Sequence, residues 1–416
     1  MNISKEQLKK LYGENALNIQ LERYAAAEKS FAEIFGETDG VRIFSAPGRT
    51  EVSGNHTDHN CGKVLAAAVD LDVIAFVVPT DDGIIDIKSE GFPRLSVDVN
   101  DLSVHEDEKN TTAALIRGVA AGFAKDGFKT GGFRAYATSN VLQGSGVSSS
   151  AAFEVLMGTI LSGLYNDGGV SAVKIAQIAQ YAENVYFGKP SGLMYQMASS
   201  VGGFITIDFK DTSAPVINSI GYDFASSGYS LCIVDTKGSH ADLTPEYAAL
   251  PQEMKGAAAV FGKSVLREVD EDEFMEKISL VREKCGDRAV LRALHFFDEN
   301  KRVDKAEACL RSGDINGFLE VIKASGNSSY KYLQNIFAVS KPMEQGMSLG
   351  LYTAEKALCG RGASRVHGGG FAGTIQAFVP NDILGEFVAA EEKIFGEGSC
   401  HCLYIRPVGG TEITAE

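Results

Sequence analysis

A segment rich in glycine and serine, Val141-Leu-Gln-Gly-Ser-Gly-Val-Ser-Ser-Ser-Ala-Ala152, places strict demands on the fold of this chain. Gly144 and Gly146 let backbone amides approach a ligand closely, and three consecutive serines then begin an apolar stretch of helical character. A helix N-terminus carries partial positive charge and unpaired N–H groups, so it binds anions. The segment therefore predicts a phosphate site with a serine hydroxyl in reach of Mg²⁺. An ordinary serine-capped helix after a tight turn is the alternative.

A second polar segment lies between two apolar, strand-like runs near the N-terminus. Ser45-Ala-Pro-Gly-Arg49 places Arg49 at an exposed turn, and Gly54-Asn-His-Thr-Asp-His-Asn-Cys-Gly62 follows. Such a density of hydrogen-bonding side chains suits a polyhydroxylated ligand. A solvated hairpin turn is the alternative, since Asn, Asp and Gly form turns readily. His56 and His59 are also candidate metal ligands, although no third ligand at a suitable spacing supports them.

A third segment, Arg365-Val-His-Gly-Gly-Gly-Phe-Ala-Gly-Thr374, contains G-x-G-x-x-G. A dinucleotide fingerprint must open a helix, whereas Thr374–Val379 has the pattern of a strand, so we expect no Rossmann site. A glycine-rich turn used for close packing is the other interpretation. Gly256–Ser264 is similar to a phosphate-binding Walker loop, but five residues stand between its glycines where four are required. We predict plain helix there.

Hydrophobic periodicity mixes the two kinds of secondary structure without a regular βαβ alternation. Amphipathic helix is predicted for the first forty residues and most of the stretch from Pro245 to Leu358. Strand-like runs cluster between Val41 and Ala137 and near the C-terminus. The acidic, serine-rich stretch Asp211–Ser227 is predicted to be a loop-rich boundary. This pattern favours an α+β fold with two domains, which we place at residues 1–215 and 216–416.

Composition excludes several classes of protein. The 416 residues carry a net charge of −15, which disfavours a broad nucleic-acid-binding face. Apolar runs such as Val64–Val69 fall far short of the roughly 20 residues that cross a bilayer, and the N-terminus has no secretory h-region. Seven scattered cysteines suit reduced thiols better than a disulfide framework. We expect a cytoplasmic protein, a monomer or weak dimer, with no nucleic-acid or membrane partner.

Taken together and in this order, the three segments resemble the motifs of the galactokinases of the GHMP kinase superfamily. That family shows A-P-G-R, then G-E-H-T-D-Y-x-x-G, G-x-G-L-S-S-S-A and G-G-G-F-G-G. The corresponding residues here are Ala46–Arg49, Gly54–His59, Gly144–Ala151 and Gly368–Gly373. The resemblance implies an N-terminal domain like domain 2 of ribosomal protein S5, a ferredoxin-like C-terminal domain, and ligands in the cleft between them.

The resemblance also implies residue roles. It implies that Arg49 stabilises charge on the transferring phosphoryl group, as a loose phosphoryl transition state requires. Glu183 matches the carboxylate on the magnesium side, and Ser150 is the serine at Mg²⁺. The remaining implied roles fall into two sets: ATP phosphates for Gly144, Ser145, Gly146, Ser148, Ser149 and Ser150, and the sugar for Asn55, His56, Asp58, Tyr247 and Gly369.

Two positions depart from the family pattern. Galactokinases carry C-G-x-M-D-Q, whose aspartate is the presumed catalytic base, whereas this chain has Ser191-Gly-Leu-Met-Tyr-Gln196 with Tyr195 at that position. A phenol has a reference pKa near 10, and general-base help is worth roughly 10²–10⁴ in rate. Asn55 replaces a family glutamate that contacts the sugar, and an amide donates hydrogen bonds where a carboxylate only accepts them.

Three functions remain open at this level. The resemblance implies an ATP- and Mg²⁺-dependent transferase that phosphorylates the anomeric hydroxyl of galactose or a related sugar, a reaction of galactose metabolism. A weak or inactive homologue that binds sugar and ATP as a sensor is the alternative, because of Tyr195. A GHMP enzyme acting on another alcohol is the third, and the polar cluster after Gly54 disfavours it.

Overall fold

The computed structural model describes residues 3–36, 39–141, 149–189 and 191–414. Within these ranges the chain forms thirteen α-helices and twelve strands, an α+β composition as predicted. The helices are α1 Lys5–Tyr12, α2 Leu17–Phe35, α3 Thr112–Lys125, α4 Ser149–Tyr165, α5 Ala172–Tyr181, α6 Met194–Val201, α7 Thr244–Ala259, α8 Glu271–Glu276, α9 Ile278–Cys285, α10 Asp287–Ser312, α11 Ile315–Ser328, α12 Gly346–Leu358 and α13 Leu384–Phe395. The strands are β1 Arg42–Ser53, β2 Lys63–Thr80, β3 Ile84–Ser89, β4 Arg94–Asp98, β5 Gly132–Ser139, β6 Phe204–Asp208, β7 Val216–Ile220, β8 Tyr229–Asp235, β9 Ala363–Val366, β10 Thr374–Pro380, β11 Cys400–Leu403 and β12 Thr411–Ile413.

A large mixed sheet forms one half of the molecule. Its order is β12-β1-β2-β5-β3-β4, and β6 pairs with the first part of β2 and carries β7. The long strands β1 and β2 run antiparallel and are almost wholly buried, so they support the polar segment that joins them. Helices α3, α4 and α5 cover one face with an apolar core.

A four-stranded antiparallel sheet forms the other half, in the order β11-β8-β10-β9. Along the chain it is strand, helices, two strands, helix and strand, which is the β-α-β-β-α-β pattern of ferredoxin-like folds. Helices α10 and α11 pack on one face and α12 and α13 on the other. The glycine-rich segment that begins at Gly368 runs straight into β10, which is why it cannot be a Rossmann loop.

Three of the strands were not predicted from the sequence. β7 lies inside the stretch that was predicted to be loop-rich, and the short strands β9 and β12 carry no pattern of their own. β12 pairs with β1, so the C-terminal end of the chain returns to the large sheet. The domain division at residues 215 and 216 stays a prediction. No helix in the described part of the chain has the length and apolar character needed to cross a lipid bilayer.

A buried ionic network ties this returning end to the large sheet. Asp72 on β2 is fully buried between two arginines, with Arg406 Nη1 at 2.9 Å and Arg23 Nη1 at 2.6 Å from its carboxylate. Tyr12 also donates a hydrogen bond of 2.5 Å to this carboxylate. The two guanidinium groups help to hold the pKa of Asp72 below its ordinary value, against the opposing effect of burial. A charge buried at this depth needs such partners.

Glu391 on α13 lacks such compensation, which gives a testable pH dependence. It is fully buried, and neither carboxylate oxygen has a hydrogen-bond partner; burial raises its pKa to about 8. Since the folded-state pKa lies above the unfolded value, this group's contribution to stability is full below about pH 4.5 and is lost as the pH rises through about 8. We expect Glu391→Gln to raise the free energy of unfolding at about pH 9 by a few kcal/mol, at about 1.4 kcal/mol per pKa unit.

Chemical denaturation of both proteins between about pH 5 and pH 9 measures this difference. The gain should shrink steadily towards pH 5. Glu386→Gln, on the same helix at an exposed position, is the matched control and should show little change. A gain of the same size at both ends of the pH range would contradict an ionisation origin.

Candidate active site

Arg49 and Tyr195 lie against each other at the centre of the site. Arg49 is on β1 and only 3% exposed, and Tyr195 is on the first turn of α6. The guanidinium carbon of Arg49 lies 3.7 Å from the centre of the Tyr195 ring, a cation–π contact. The expectation that Arg49 sits at an exposed turn is wrong, because β1 continues through it to Ser53 and buries it. From this buried position on β1, the Arg49 side chain still contacts Tyr195, the residue at the predicted catalytic-base position.

Two acidic side chains share this environment. Glu51 is buried on β1, and Asp58 begins the short 3₁₀ turn in the polar segment. Burial lowers the pKa of Arg49, while Tyr195, Glu51 and Asp58 act in the opposite direction and favour its charged form. Burial raises the pKa of Tyr195 above its ordinary value despite the adjacent Arg49. The phenol of Tyr195 is therefore neutral at physiological pH and is a poor general base.

The polar segment between β1 and β2 is held in a specific conformation. Gly54 has φ +94°, and a Cβ there would lie 2.4 Å from the Lys63 carbonyl oxygen, so this turn requires glycine. His56 has a positive φ of 58° and its Nε2 donates to the Gly369 carbonyl at 2.9 Å. Burial, with His59 stacked beside it, lowers the pKa of His56 to about 4. His56 is therefore a neutral hydrogen-bonding group near pH 7.

Asn55 is fully buried, and its side chain joins the two halves of the molecule. Its Nδ2 donates to Glu51 Oε1 at 2.9 Å and to the Gly368 carbonyl at 2.7 Å. Its Oδ1 accepts from Asn335 Nδ2 at 2.8 Å and from Ser329 Oγ at 3.2 Å. Both polar atoms are thus engaged within the protein, which neither the motif nor its spacing indicated. The predicted contact of Asn55 with a sugar stays a prediction.

Tyr247 and the glycine-rich segment form the facing wall. The Tyr247 hydroxyl donates to the Gly370 carbonyl at 2.7 Å, and its ring meets Phe371 edge to face at 5.2 Å between centroids. A Cβ on Gly369 would lie 2.9 Å from the Tyr247 ring, so only glycine lets the segment pass beneath it without displacing the ring. Burial raises the pKa of Tyr247 to about 12. The structure thus brings His56, Tyr247 and Gly369 together.

The predicted phosphate site lies only partly within the described residues. Gly144, Ser145, Gly146 and Ser148 lie outside them. Helix α4 covers Ser149–Tyr165, the range that the sequence predicts, and Ser149 and Ser150 are half-buried in its first described turn. A helix start with partly exposed hydroxyls has the donors and the dipole that an anion needs.

Glu183, the predicted magnesium-side carboxylate, is buried in a π-helical turn, Ala182–Phe187, which follows α5. π-helical turns of this kind occur frequently at functional sites. The carboxylate of Glu183 accepts from Ser191 Oγ at 2.6 Å and from Gln196 Nε2 at 2.8 Å, and Lys189 Nζ lies 3.1 Å away.

Glu154 is a site residue that sequence reasoning missed. It lies one helical turn after Ser150 on α4, is fully buried, and accepts from Gln196 Nε2 at 3.0 Å through Oε2, while its Oε1 has no hydrogen-bond partner. The four-residue spacing places Glu154 and Ser150 on one face of the helix, and this was the available signal. Gln196 therefore bridges two carboxylates, Glu154 and Glu183, next to the helix start.

These contacts, together with the chain itself, connect Arg49 and Tyr195 to Gln196 and its two carboxylate partners in one largely buried cluster. Arg49 stacks on Tyr195, the neighbouring Gln196 binds Glu154, and Glu154 lies about 6 Å along the axis of α4 from Ser150, at 1.5 Å rise per residue. Asp58 favours the charged form of Arg49, and it lies two residues after His56 in the polar segment. Among the residues that the structure describes, no group of three or more His, Cys, Asp or Glu side chains is arranged to hold a metal ion.

Comparison with known proteins agrees with this arrangement. Residues 29–79 match the galactokinase galactose-binding signature, and residues 114–203 match the GHMP kinases N terminal domain. A galactokinase of Streptomyces coelicolor is 31% identical over 350 residues, covering 83% of this chain and 86% of the relative. A galactokinase of Lacticaseibacillus casei is 30% identical over 383 residues, covering 89% and 93%.

A solved structure gives the same result. The crystal structure of Lactococcus lactis galactokinase complexed with galactose superposes with a TM-score of 0.77 and 25% identity, covering 93% of this chain and 99% of that one. The fold, the order of the motifs and the extent of these matches lead to one conclusion: the chain belongs to the galactokinase family of the GHMP kinases.

Proposed function

We propose that this protein is an ATP-dependent sugar kinase that transfers the γ-phosphate of ATP to the anomeric hydroxyl of galactose or a close relative. The observation that carries the proposal is the buried cluster that leads from Glu154 on α4, through Gln196 and Tyr195, to Arg49 beside the polar segment. A nucleotide at the helix start and a sugar at Asp58 would meet at Arg49.

The nucleotide side relies on electrostatics and positioning. The triphosphate would lie against the N-terminus of α4, where Ser149 and Ser150 supply hydroxyls and the helix dipole favours negative charge. Gly144, Ser145, Gly146 and Ser148 complete this proposed phosphate loop. Arg49 would contact the transferring phosphoryl group, where charge accumulates in the transition state. Its burial increases that effect because the surroundings exclude water.

The residues near the N-terminal turns of α4 offer the oxygen ligands that Mg²⁺ prefers. Mg²⁺ prefers oxygen ligands and is held in kinases by one or two carboxylates together with the substrate phosphates. Glu183 and the Ser150 hydroxyl would hold it, and the unpartnered Oε1 of buried Glu154 is a further oxygen beside them. The metal would neutralise phosphate charge. Lys189 is more than half exposed and contacts Glu183 from the solvent side, so it can move away.

The sugar side is built from fixed hydrogen-bonding groups. Asp58 would accept from sugar hydroxyls, and neutral His56, held by the Gly369 carbonyl, would contact another. Tyr247 and Gly369 would cover the opposite face. Asn55 would act on the sugar through the glycine segment, because its amide holds the Gly368 carbonyl.

Tyr195 is proposed to position Arg49 rather than to remove a proton. If so, Tyr195→Phe, which keeps the ring over the guanidinium, should retain most of kcat. Tyr195→Leu, which removes the ring, should lower kcat by roughly thirty-fold, which corresponds to about 2 kcal/mol for a desolvated cation–π contact. Steady-state kinetics of ADP release measures both. Equal losses in the two variants would show instead that the hydroxyl is required.

A substrate panel tests the proposed function. Purified protein with MgATP is assayed against galactose, other hexoses, deoxyhexoses and heptoses, with ADP release as the readout. We expect galactose or a relative that shares most of its hydroxyls to give the highest kcat/KM. The sensor alternative, which the loss of the aspartate at position 195 favours, predicts background turnover while ATP and sugar together raise the melting temperature.

A further inference from the structure

Three thiols meet on one face of the four-stranded sheet, away from the proposed kinase site. Cys232 lies on β8, and Cys400 and Cys402 lie two residues apart on the neighbouring strand β11. Cys232 and Cys402 are direct partners in the antiparallel register, and their Sγ atoms are 3.8 Å apart. The described part of the chain contains all seven cysteines, and each is a free thiol.

The position of this pair in the ladder suits a disulfide. The Asp235 amide donates to the Ser399 carbonyl at 2.8 Å. Because pair types alternate along an antiparallel ladder, this bond makes Cys232 and Cys402 a non-hydrogen-bonded pair. Cα atoms in such pairs are about 4.5 Å apart, within the range of roughly 4.4–6.8 Å that a disulfide spans. Closing the bond therefore needs side-chain rotation and little backbone movement.

The two thiols differ in a way that suits sequential reaction. β11 is an edge strand, and Cys402 is exposed while Cys232 is buried. Hydrogen bonding from the Cys232 and Cys400 thiols lowers the pKa of Cys402, with a smaller contribution from His401. The Cys232 thiol acts to lower the pKa of Cys400, but the hydrogen bond with Cys402 and burial outweigh it and raise that pKa, with a smaller contribution from Glu391 of α13. Cys402 is thus the accessible thiolate, and Cys232 is the buried thiol beside it.

We propose that Cys402 and Cys232 form a thiol–disulfide exchange site whose oxidant is a low-molecular-weight disulfide. The Cys402 thiolate attacks one sulfur of the oxidant, forms a mixed disulfide and releases one thiolate. The Cys232 thiol then attacks the Cys402 sulfur and gives its proton to the departing thiolate, which forms the Cys232–Cys402 bond and releases the second small thiol. Two protein thiols are oxidised and one small disulfide is reduced to two thiols.

Treatment of the reduced full-length protein with oxidised glutathione tests this proposal by intact mass and by peptide mapping without reduction. We expect a cross-link between the peptides that carry Cys232 and Cys402, no glutathione retained on Cys402, and reversal by dithiothreitol. Cys359 is the internal control. It is exposed, and its Sγ donates to the Lys356 carbonyl and makes no described contact with a second thiol, so it should stop at the glutathione adduct.

Two variants separate the proposed pair from its neighbour. Cys232→Ser should trap glutathione on Cys402, because no resolving thiol remains, and Cys400→Ser should still form the cross-link. If Cys232→Ser does not fold, the peptide map of the unmodified chain decides by itself. Stable glutathione on Cys402 of the unmodified chain, a cross-link through Cys400, or an unreacted Cys402 beside a fully reacted Cys359 would each overturn the proposal. The test does not depend on kinase activity.

Discussion

Replacing Arg49 by leucine is expected to lower kcat by about 10³–10⁵, the range found for arginines that stabilise a phosphoryl transition state. The guanidinium is the cationic group that β1 delivers to the point where the helix start and the polar segment meet. Leucine fills part of the same volume beside Tyr195 but carries no charge. KM for the sugar should change much less than kcat, because the charge on the phosphoryl group develops mainly in the transition state.

Arg117→Leu is the matched control for loss of a buried arginine. Arg117 on α3 is 5% exposed, pairs with Glu108 at 2.7 Å and donates to the Asp98 and Asp101 carbonyls. Its loss should lower the melting temperature but leave kcat of the folded fraction nearly unchanged. Comparable kcat values for Arg49→Leu and the unmodified chain, with both folded by circular dichroism, would contradict the role assigned to Arg49.

Replacing Tyr195 by aspartate is expected to raise kcat, because the usual contribution of a positioned general base, about 10²–10⁴, exceeds the roughly thirty-fold loss expected from removing the ring over Arg49. The neutral phenol leaves the present site without a base at this position, since burial raises the pKa of Tyr195. An aspartate there would stand next to Arg49, whose charge would hold it ionised. Phosphoryl transfer depends mainly on positioning and electrostatics, so the unmodified enzyme should be slow rather than inactive.

Tyr195→Asn separates the base from the change in shape. Asparagine has nearly the same size as aspartate and cannot accept a proton at neutral pH, so it should give no gain in kcat. The increase for Tyr195→Asp should also follow ionisation of one carboxyl group in a pH–rate profile. Equal rates for the Asp and Asn variants would show that the missing base does not limit the reaction.

Local sequence patterns predict the parts of the fold that depend on interactions between residues close together in the chain. The helix after the three serines and the strand after the glycine segment follow from short apolar runs, and Ser171 caps α5 through the Lys174 amide. β12 was missed because three residues carry no periodicity and its partner, β1, is distant in the chain. The division of strands between the two sheets is likewise a long-range property.

The candidate site likewise combines residues that a motif predicts with contacts that depend on long-range folding. Motif spacing identified Arg49, His56 and Tyr195 as site residues, but their contacts join distant segments: Arg49 stacks on Tyr195, and His56 binds the Gly369 carbonyl. Glu154 was missed because it reads as one polar residue in an apolar helix, and only folding brings Gln196 to it. Asn55 was assigned to a ligand because its partners cannot be read from neighbouring residues. Those partners lie on distant segments of the chain: Ser329, Asn335 and Gly368.

Phosphorus NMR of purified protein incubated with galactose and MgATP tests the central claim most directly, because it shows both transfer and the atom that receives the phosphate. We predict a phosphate monoester on the anomeric oxygen, formed in equal amount with ADP and abolished in Arg49→Leu. Binding of MgATP without any phosphorylated sugar, from galactose or from the best-bound member of the hexose panel, would contradict the assignment as a kinase.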